Sequence, residues 1–210
     1  MRITVIGATG GIGTEVARQA LAAGHEVVAP VRRPDRMTVS GAGLTVERAD
    51  VLDTEQLLPL VKGTDAVVSA LGQRPGDRAG VVAGGARAAV PAMRAAGVSR
   101  LLVVSAEGAF TNPTDGPLVR FVLKPVVARV FRAGFADVRE MEWVVRDSGL
   151  DWTIVRPPRL TDAPYTGRYR TALDRGLPNG FQICRADVAH AILSAIGNPE
   201  TVGHVLGVAH

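Results

Sequence analysis

The chain is short of several things, and each shortage narrows what it can be. A single cysteine, Cys184, rules out a disulfide within the chain and suits a reducing compartment such as the cytoplasm. The plain reading of Cys184 is a small buried apolar residue. Aromatic residues make up 4% of the chain, and its two tyrosines, Tyr165 and Tyr169, give no aromatic and basic ribbon for nucleic acid. Lysine occurs only at Lys62 and Lys124, and the arginines are scattered, so a net charge of +4 reads as a solvated basic surface. No apolar run reaches the roughly 18 residues of a membrane span, and the first strand meets glycines too early for a signal-peptide core. The histidines His25, His190, His204 and His210 form no metal-like cluster, so no metal is expected.

What is present is a core and a turn. With 47% hydrophobic residues, the 210-residue chain suits one α/β domain spanning 1–210, with no repeat, linker or low-complexity segment dividing it. The pattern that organises it is the first: Arg2 to Ile6 reads as a buried parallel strand running into Gly7-Ala8-Thr9-Gly10-Gly11-Ile12-Gly13, with a helix predicted over Thr14 to Ala23. Gly7 permits the sharp exit from the strand, Gly10 lets a pyrophosphate approach the backbone, and Gly13 lets the helix pack close. Free N–H groups at the helix start, among Thr9, Gly11, Ile12 and their neighbours, then hold phosphates. The turn follows a strand and opens a helix, which is the context a dinucleotide site demands.

Strands alternating with helices follow. Glu26 to Val31 reads as a second strand ending in Arg32 and Arg33, where NAD binders commonly place a carboxylate. Two guanidiniums suit a 2′-phosphate instead, which points to NADP(H). Leu44 to Ala49 is a third strand, after which Asp50 and Val51 are placed beside the adenine. Asp53 with Gln56 resembles a capping box for a helix to Val61. Ala66 to Leu71 is a fourth strand, and Leu71, Gly72 and Arg74 at its carboxyl end fall beside the cofactor. Helix Ala79 to Ala96 stops at Gly97 and is expected to kink at Pro91. Leu101 to Val104 is a fifth strand ending at Ser105, which can reach the nicotinamide or a substrate; Glu107 nearby reads as an exposed loop residue. Helices are predicted over Leu118 to Arg132, broken or kinked at Pro125, and over Asp137 to Ser148, with Gly149 as a cap. A sixth strand, Asp151 to Val155, ends at Arg156-Pro157-Pro158-Arg159-Leu160. Thr161 to Arg185 reads as irregular, with a strand near Arg168 to Ala172, before a helix led by Asp187 and a last strand, His204 to Val208. Residues 157–185 are the expected substrate-specificity region.

The glycine turn, the run Ser148-Gly149-Leu150-Asp151-Trp152-Thr153-Ile154-Val155-Arg156-Pro157-Pro158 and Tyr165-Thr166-Gly167-Arg168-Tyr169 together carry a resemblance. The chain resembles the atypical short-chain dehydrogenase/reductases, in particular the flavin reductase, biliverdin reductase B and NmrA-like branch, over nearly its whole length. The resemblance implies a Rossmann-like α/β fold, a doubly wound parallel sheet flanked by helices with a small C-terminal substrate region. It implies the glycine turn for pyrophosphate, Arg32 and Arg33 near the 2′-phosphate and Arg74 close to the cofactor. It also places Ser105 and the Pro157-Pro158 edge beside the nicotinamide, with Arg159 facing the acceptor. Two departures stand out. Neither tyrosine precedes a lysine in the Tyr-x-x-x-Lys spacing of typical members, and Ala106 stands where flavin and biliverdin reductases of the branch carry serine.

These readings favour a cytoplasmic NADPH-dependent reductase, monomer or homodimer, passing hydride to a small-molecule acceptor such as a flavin, quinone or conjugated enone. Such acceptors need a hydride more than a strong acid. Ser105 would orient the carboxamide or the acceptor, and Arg159 would stabilise developing negative charge. The alternative is a non-catalytic NADP(H)-sensing regulator of the NmrA-like type. A sugar-nucleotide epimerase ranks third, since its acid-base pair is missing, and a DNA-binding protein ranks last.

Overall fold

The structure is a computed structural model that describes residues 1–73, 80–110, 129 and 132–210. The predicted helix over Leu118 to Arg132, with Pro125, lies largely outside these residues, as does Arg74. In chain order the strands are β1 (Arg2–Ile6), β2 (Glu26–Val31), β3 (Leu44–Arg48), β4 (Ala66–Ser69), β5 (Arg100–Val104), β6 (Asp151–Arg156), β7 (Arg159–Thr161), β8 (Arg170–Leu173), β9 (Gln182–Cys184) and β10 (His204–Ala209). The α-helices described are α1 (Gly11–Ala22), α2 (Thr54–Val61), α3 (Val81–Ala96), α4 (Arg132–Arg146) and α5 (Arg185–Ile196).

Side-chain alternation explains the layers. In β1, Ile3 and Val5 join one apolar cluster and Ile6 the other; Val68 and Val67, Leu102 and Leu101, and Val155 and Ile154 divide in the same way. A strand with both faces apolar must be covered twice, and it is. One face receives Val16 and Ala20 of α1 with Val188 and Ile192 of α5, and the other receives Leu57, Met93, Met141 and Val145 of α2, α3 and α4.

The described residues form an eight-stranded sheet in the order β3-β2-β1-β4-β5-β6-β10-β8, with β7 and β9 paired apart from it. All pairs in the large sheet are parallel except β10 with β8. From β1 the chain moves outward through β2 and β3, then returns to add β4, β5 and β6 on the other side. The reversal lies between β1 and β4, where Ile3 is in register with Ala66 and Ile6 with Ser69. A crevice opens at such a point, at the carboxyl ends of the strands.

Several boundaries differ from the sequence expectation. Helix α1 begins at Gly11, three residues earlier than Thr14, because the glycines themselves take the first helical turn behind Gly10 as cap. Helix α3 runs unbroken through Pro91: Pro91 and Arg87, whose carbonyl loses its helical donor, both face solvent. The described part of α4, Arg132–Arg146, extends further towards the N-terminus than the expected Asp137 and ends two residues before Ser148. Helix α5 begins at Arg185, two residues before Asp187, with Cys184 as its cap and the Asp187 N–H donating to the Cys184 sulfur at 3.4 Å. The segment expected to be largely irregular carries β9, paired with β7 before it, and β8 lies where a strand was expected near Arg168 to Ala172.

Candidate functional site

The glycine turn is built by contacts that a Cβ would destroy. Gly7 has φ of +86°, and a Cβ there would lie 2.9 Å from the backbone carbonyl atoms of Ala70 on the neighbouring strand. On Gly13 a Cβ would lie 2.2 Å from the Gly7 carbonyl oxygen, so α1 rests directly on the turn. The Gly10 N–H donates to the Gly7 carbonyl at 2.8 Å, and the Thr14 hydroxyl donates to the Ala8 carbonyl at 2.9 Å. Neither a capping side chain nor an acidic residue occupies the first turn of α1. Its leading N–H groups and the positive end of its dipole are left for an anion, and the missing Cβ atoms make the cradle that a pyrophosphate needs.

That turn forms one end of a cleft of about 1060 Å³, at the upper end of the range for cofactor sites. Its lining comes from the carboxyl ends of successive strands: Gly7 and Thr9 to Ile12, Pro30 to Arg32, Asp50 to Leu52, Ala70 to Gln73, Val104 to Ala106, then Pro158 and Leu160. Of the residues expected at the cofactor, Gly7, Thr9, Gly10, Gly11, Ile12, Arg32, Asp50, Val51, Leu71, Gly72, Ser105 and Pro158 meet here. Gly13 lies beneath the turn. Arg33 is exposed beyond the cleft lining, and Pro157 is buried behind it, its carbonyl accepting from the Glu107 N–H at 3.0 Å. Arg159 stands apart as well: alternation along β7 turns Leu160 to the cleft and leaves Arg159 exposed outside it. The arginine that does line the cleft from the C-terminal region is Arg185.

At the other end the lining is apolar. Val104, Ala106, Phe135, Val138, Pro158 and Leu160 surround Ser105, the one hydroxyl among them. Ser105 is buried, and its Oγ donates to Glu142 Oε1 at 2.5 Å. Glu142, on α4, is itself 2% exposed. Arg156 grips it with two bonds, Nε to Oε1 at 2.8 Å and Nη2 to Oε2 at 2.6 Å, and Arg146 Nη2 adds a third at 3.3 Å. The Arg156 guanidinium also stacks 3.6 Å from the Phe110 ring centre. Both Glu142 oxygens accept from guanidinium N–H groups, and Oε1 accepts from Ser105 as well. The Ser105 proton is therefore turned away from the cleft, and the oxygen it presents there is an acceptor.

Two further carboxylates fix the walls. Asp137, buried on α4, accepts from the Val82 N–H at 3.0 Å and the Ala83 N–H at 2.9 Å, capping α3 where its own cap residue is Gly80. Asp187 is fully buried and accepts from the Thr166 N–H (3.0 Å) and hydroxyl (2.6 Å), the Gly167 N–H (2.9 Å) and His210 Nε2 (2.7 Å). Burial opposes its ionisation, but these donors outweigh burial and hold the carboxyl far below the usual range. Ligand atoms of Cys184, Asp187 and His210 lie within 4.8 Å of one another, which the sequence spacing did not suggest. Both Asp187 oxygens are spent on tying residues 166–167 to α5, and burial pushes the Cys184 thiol up, so the group reads as a structural tie.

Glu142, Arg156, Asp137 and Arg185 were missed from sequence. A signal existed for two of them: Asp137 and Glu142 lie on the helical face of Met141 and Val145, which is buried.

Comparison with known proteins agrees with this geometry. Residues 7–199 match the sequence family described as NAD(P)H-binding. The uncharacterized protein YwnB of Bacillus subtilis is 28% identical over 206 residues, 95% of this chain and 94% of that one. A (4-alkanoyl-5-oxo-2,5-dihydrofuran-3-yl)methyl phosphate reductase of Streptomyces griseus is 33% identical over 157 residues, 74% of this chain but 46% of that protein. Among solved structures, a putative exported protein of Burkholderia pseudomallei superposes with a TM-score of 0.84 at 28% identity, covering 100% of both chains. Among the described residues no helix is long and apolar enough to cross a membrane.

Proposed function

Starting from the NAD(P)H-binding family of atypical short-chain dehydrogenase/reductases, to which this chain belongs, we propose that it is an NADPH-dependent reductase of a flat, conjugated acceptor. The observation that carries the reading is the contrast between the two ends of the cleft: glycine amides and Arg32 at one, and at the other, among the described residues, a largely apolar wall around the Ser105 hydroxyl with Gln73 beside Gly134. The cofactor, when bound, supplies the hydride. The chain supplies position. Arg32, at the end of β2, is the residue for a 2′-phosphate, and Asp50 and Val51 flank the adenine. Ser105 would accept from a carboxamide N–H of the bound cofactor and so orient its ring, while Phe135, Val138 and Leu160 would keep water from the acceptor side.

This arrangement selects against simple ketones. Reducing one requires a proton donor at the oxygen, and among the described residues around that end the hydroxyl is Ser105, whose proton goes to Glu142. A flavin, quinone or conjugated enone spreads the charge of the added hydride and takes its proton from water later. The Streptomyces reductase supports the enone member of that set, since its named substrate carries a ring alkene conjugated to carbonyls.

The test is NADPH oxidation by the purified protein with FMN, riboflavin, a naphthoquinone and a cyclic enone, with NADH as the control and a simple ketone added. Saturable oxidation with one of the first four and none with the ketone is expected. Tight NADPH binding with no turnover of any acceptor would replace the reductase with the NADP(H)-sensing reading.

A further inference from the structure

We infer that Arg185 is a ligand for the cofactor's pyrophosphate, kept in place by an ion pair with Asp162 that the phosphates displace. The inference rests on the cofactor reading above. Its starting point is a cation in an unfavourable place. The Arg185 side chain lies over the first residue of α1: a Cβ on Gly11 would sit 2.5 Å from Arg185 Cδ and 2.6 Å from its Nε. A helix N-terminus carries partial positive charge, and α1 has neither an acidic residue nor a capping side chain there to offset it. Arg185 is also the first residue of α5, whose positive end Asp187 in its own first turn already faces, so the uncompensated helix end is that of α1. The start of α1 and the Arg185 guanidinium meet on one wall of the cleft. Such a concentration of positive charge is stable only beside an anion.

In this structure the anion is Asp162, whose Oδ1 pairs with Arg185 Nη1. The pair is lopsided: the Asp162 side chain is 91% exposed, whereas that of Arg185 is 30% exposed and lines the cleft. An ion pair with one partner in open solvent is held weakly, and a diphosphate brings more charge and acceptors in a form that a guanidinium grips with two bonds. Gly11 is then explained twice over. It opens the amide of α1 to the ligand, and it leaves the space through which the Arg185 stem passes. Asp162 follows directly on β7, which carries Leu160 in the cleft wall, so release of Asp162 couples phosphate binding to the segment beside the acceptor.

The experiment measures dissociation constants for NADPH and for two fragments, 2′-phospho-ADP-ribose, which keeps the pyrophosphate, and adenosine 2′,5′-bisphosphate, which keeps one of its phosphates. Variants are Arg185→Ala, Arg185→Lys and Asp162→Asn, each checked for an unchanged circular dichroism spectrum. Loss of hydrogen bonds to a charged group predicts that Arg185→Ala weakens NADPH and 2′-phospho-ADP-ribose about tenfold and the bisphosphate less than threefold. Arg185→Lys, which keeps the charge, restores part of the loss, and Asp162→Asn tightens both pyrophosphate ligands. Equal affinities of parent and Arg185→Ala for NADPH, equal losses for the two fragments, or weaker binding by Asp162→Asn would each overturn the inference. Failure of the unmodified chain to bind NADPH at all would instead defeat the cofactor reading, and the Arg185 assignment with it.

Discussion

Replacing Glu142 by glutamine probes the join between the fold and its reacting end. The side chain is 3% exposed and receives four hydrogen bonds, from Ser105, twice from Arg156 and from Arg146. Glutamine preserves the volume but puts an NH2 group where one oxygen stood, so a donor faces the donors of Arg156, and that guanidinium loses its counter-charge. Breaking a buried pair costs about 3–5 kcal/mol. Arg156 keeps 14% of its side chain in solvent and its stack on Phe110, which favours the lower end, about 3 kcal/mol. For a chain of this size each kcal/mol moves the melting temperature by about 2–4 °C, so a fall of about 6–12 °C is expected. Urea titrations of the parent, Glu142→Gln, Arg156→Gln and the double variant give the coupling directly. The double variant should cost clearly less than the sum of the singles. Ser105→Ala, which leaves the ion pair intact, should cost only about 1 kcal/mol while weakening NADPH binding. A Glu142→Gln protein within about 1 kcal/mol of the parent, or strictly additive singles, would refute the account of a desolvated pair.

Three more expectations follow from the same geometry. Gly13→Ala puts a methyl 2.2 Å from the Gly7 carbonyl oxygen, which only a shift of α1 relieves, so NADPH affinity should fall at least about tenfold by fluorescence titration. Arg32→Ala should weaken NADPH far more than NADH, and Arg33→Ala, whose parent residue lies outside the cleft lining, should change either little; equal losses for the two cofactors in Arg32→Ala would remove the 2′-phosphate role. Asp187, with its carboxyl held below the usual range, stabilises the fold above the unfolded value of about 4, and the unfolded chain takes up the proton first as pH falls. Its contribution is thus lost progressively below about pH 4, and Asp187→Asn should flatten that acid limb in urea midpoints while lowering stability at pH 7 by at least about 2 kcal/mol. An unchanged acid limb would rule out Asp187 as its source.

The parts of this molecule legible in its sequence are those governed by neighbours in the chain. Gly7 to Gly13 announce the turn because the backbone geometry there excludes side chains, and the strands announce themselves by apolar runs that both helix layers must cover. Asp53 was readable as a cap for the same local reason: it accepts from the Glu55 and Gln56 N–H groups two and three residues away. Charged groups acting across the fold were not readable. Ser105 meets Glu142 from 37 positions away, Asp137 caps a helix 54 and 55 positions earlier, and Arg185 reaches back to Gly11 through tertiary packing alone. The resemblance placed Arg159 facing the acceptor, but a strand sends adjacent residues to opposite sides, and in the described structure Leu160 lines the cleft while Arg159 is exposed outside its lining.

Helix α4 fastens itself at two points roughly one and a half turns apart, Asp137 to the start of α3 and Glu142 to the floor of the cleft, while its first residues, Ala133 to Phe135, form the wall nearest an acceptor. The two anchors divide the helix by tolerance to change. Substitutions at 133–135 resize the chamber without touching a buried charge, whereas an insertion or deletion between 137 and 142 would rotate one anchor away from its partner by about 100° for each residue. On the reductase reading, acceptor preference would be open to redesign at one end of a single helix, while the spacing behind it is closed to any change in length.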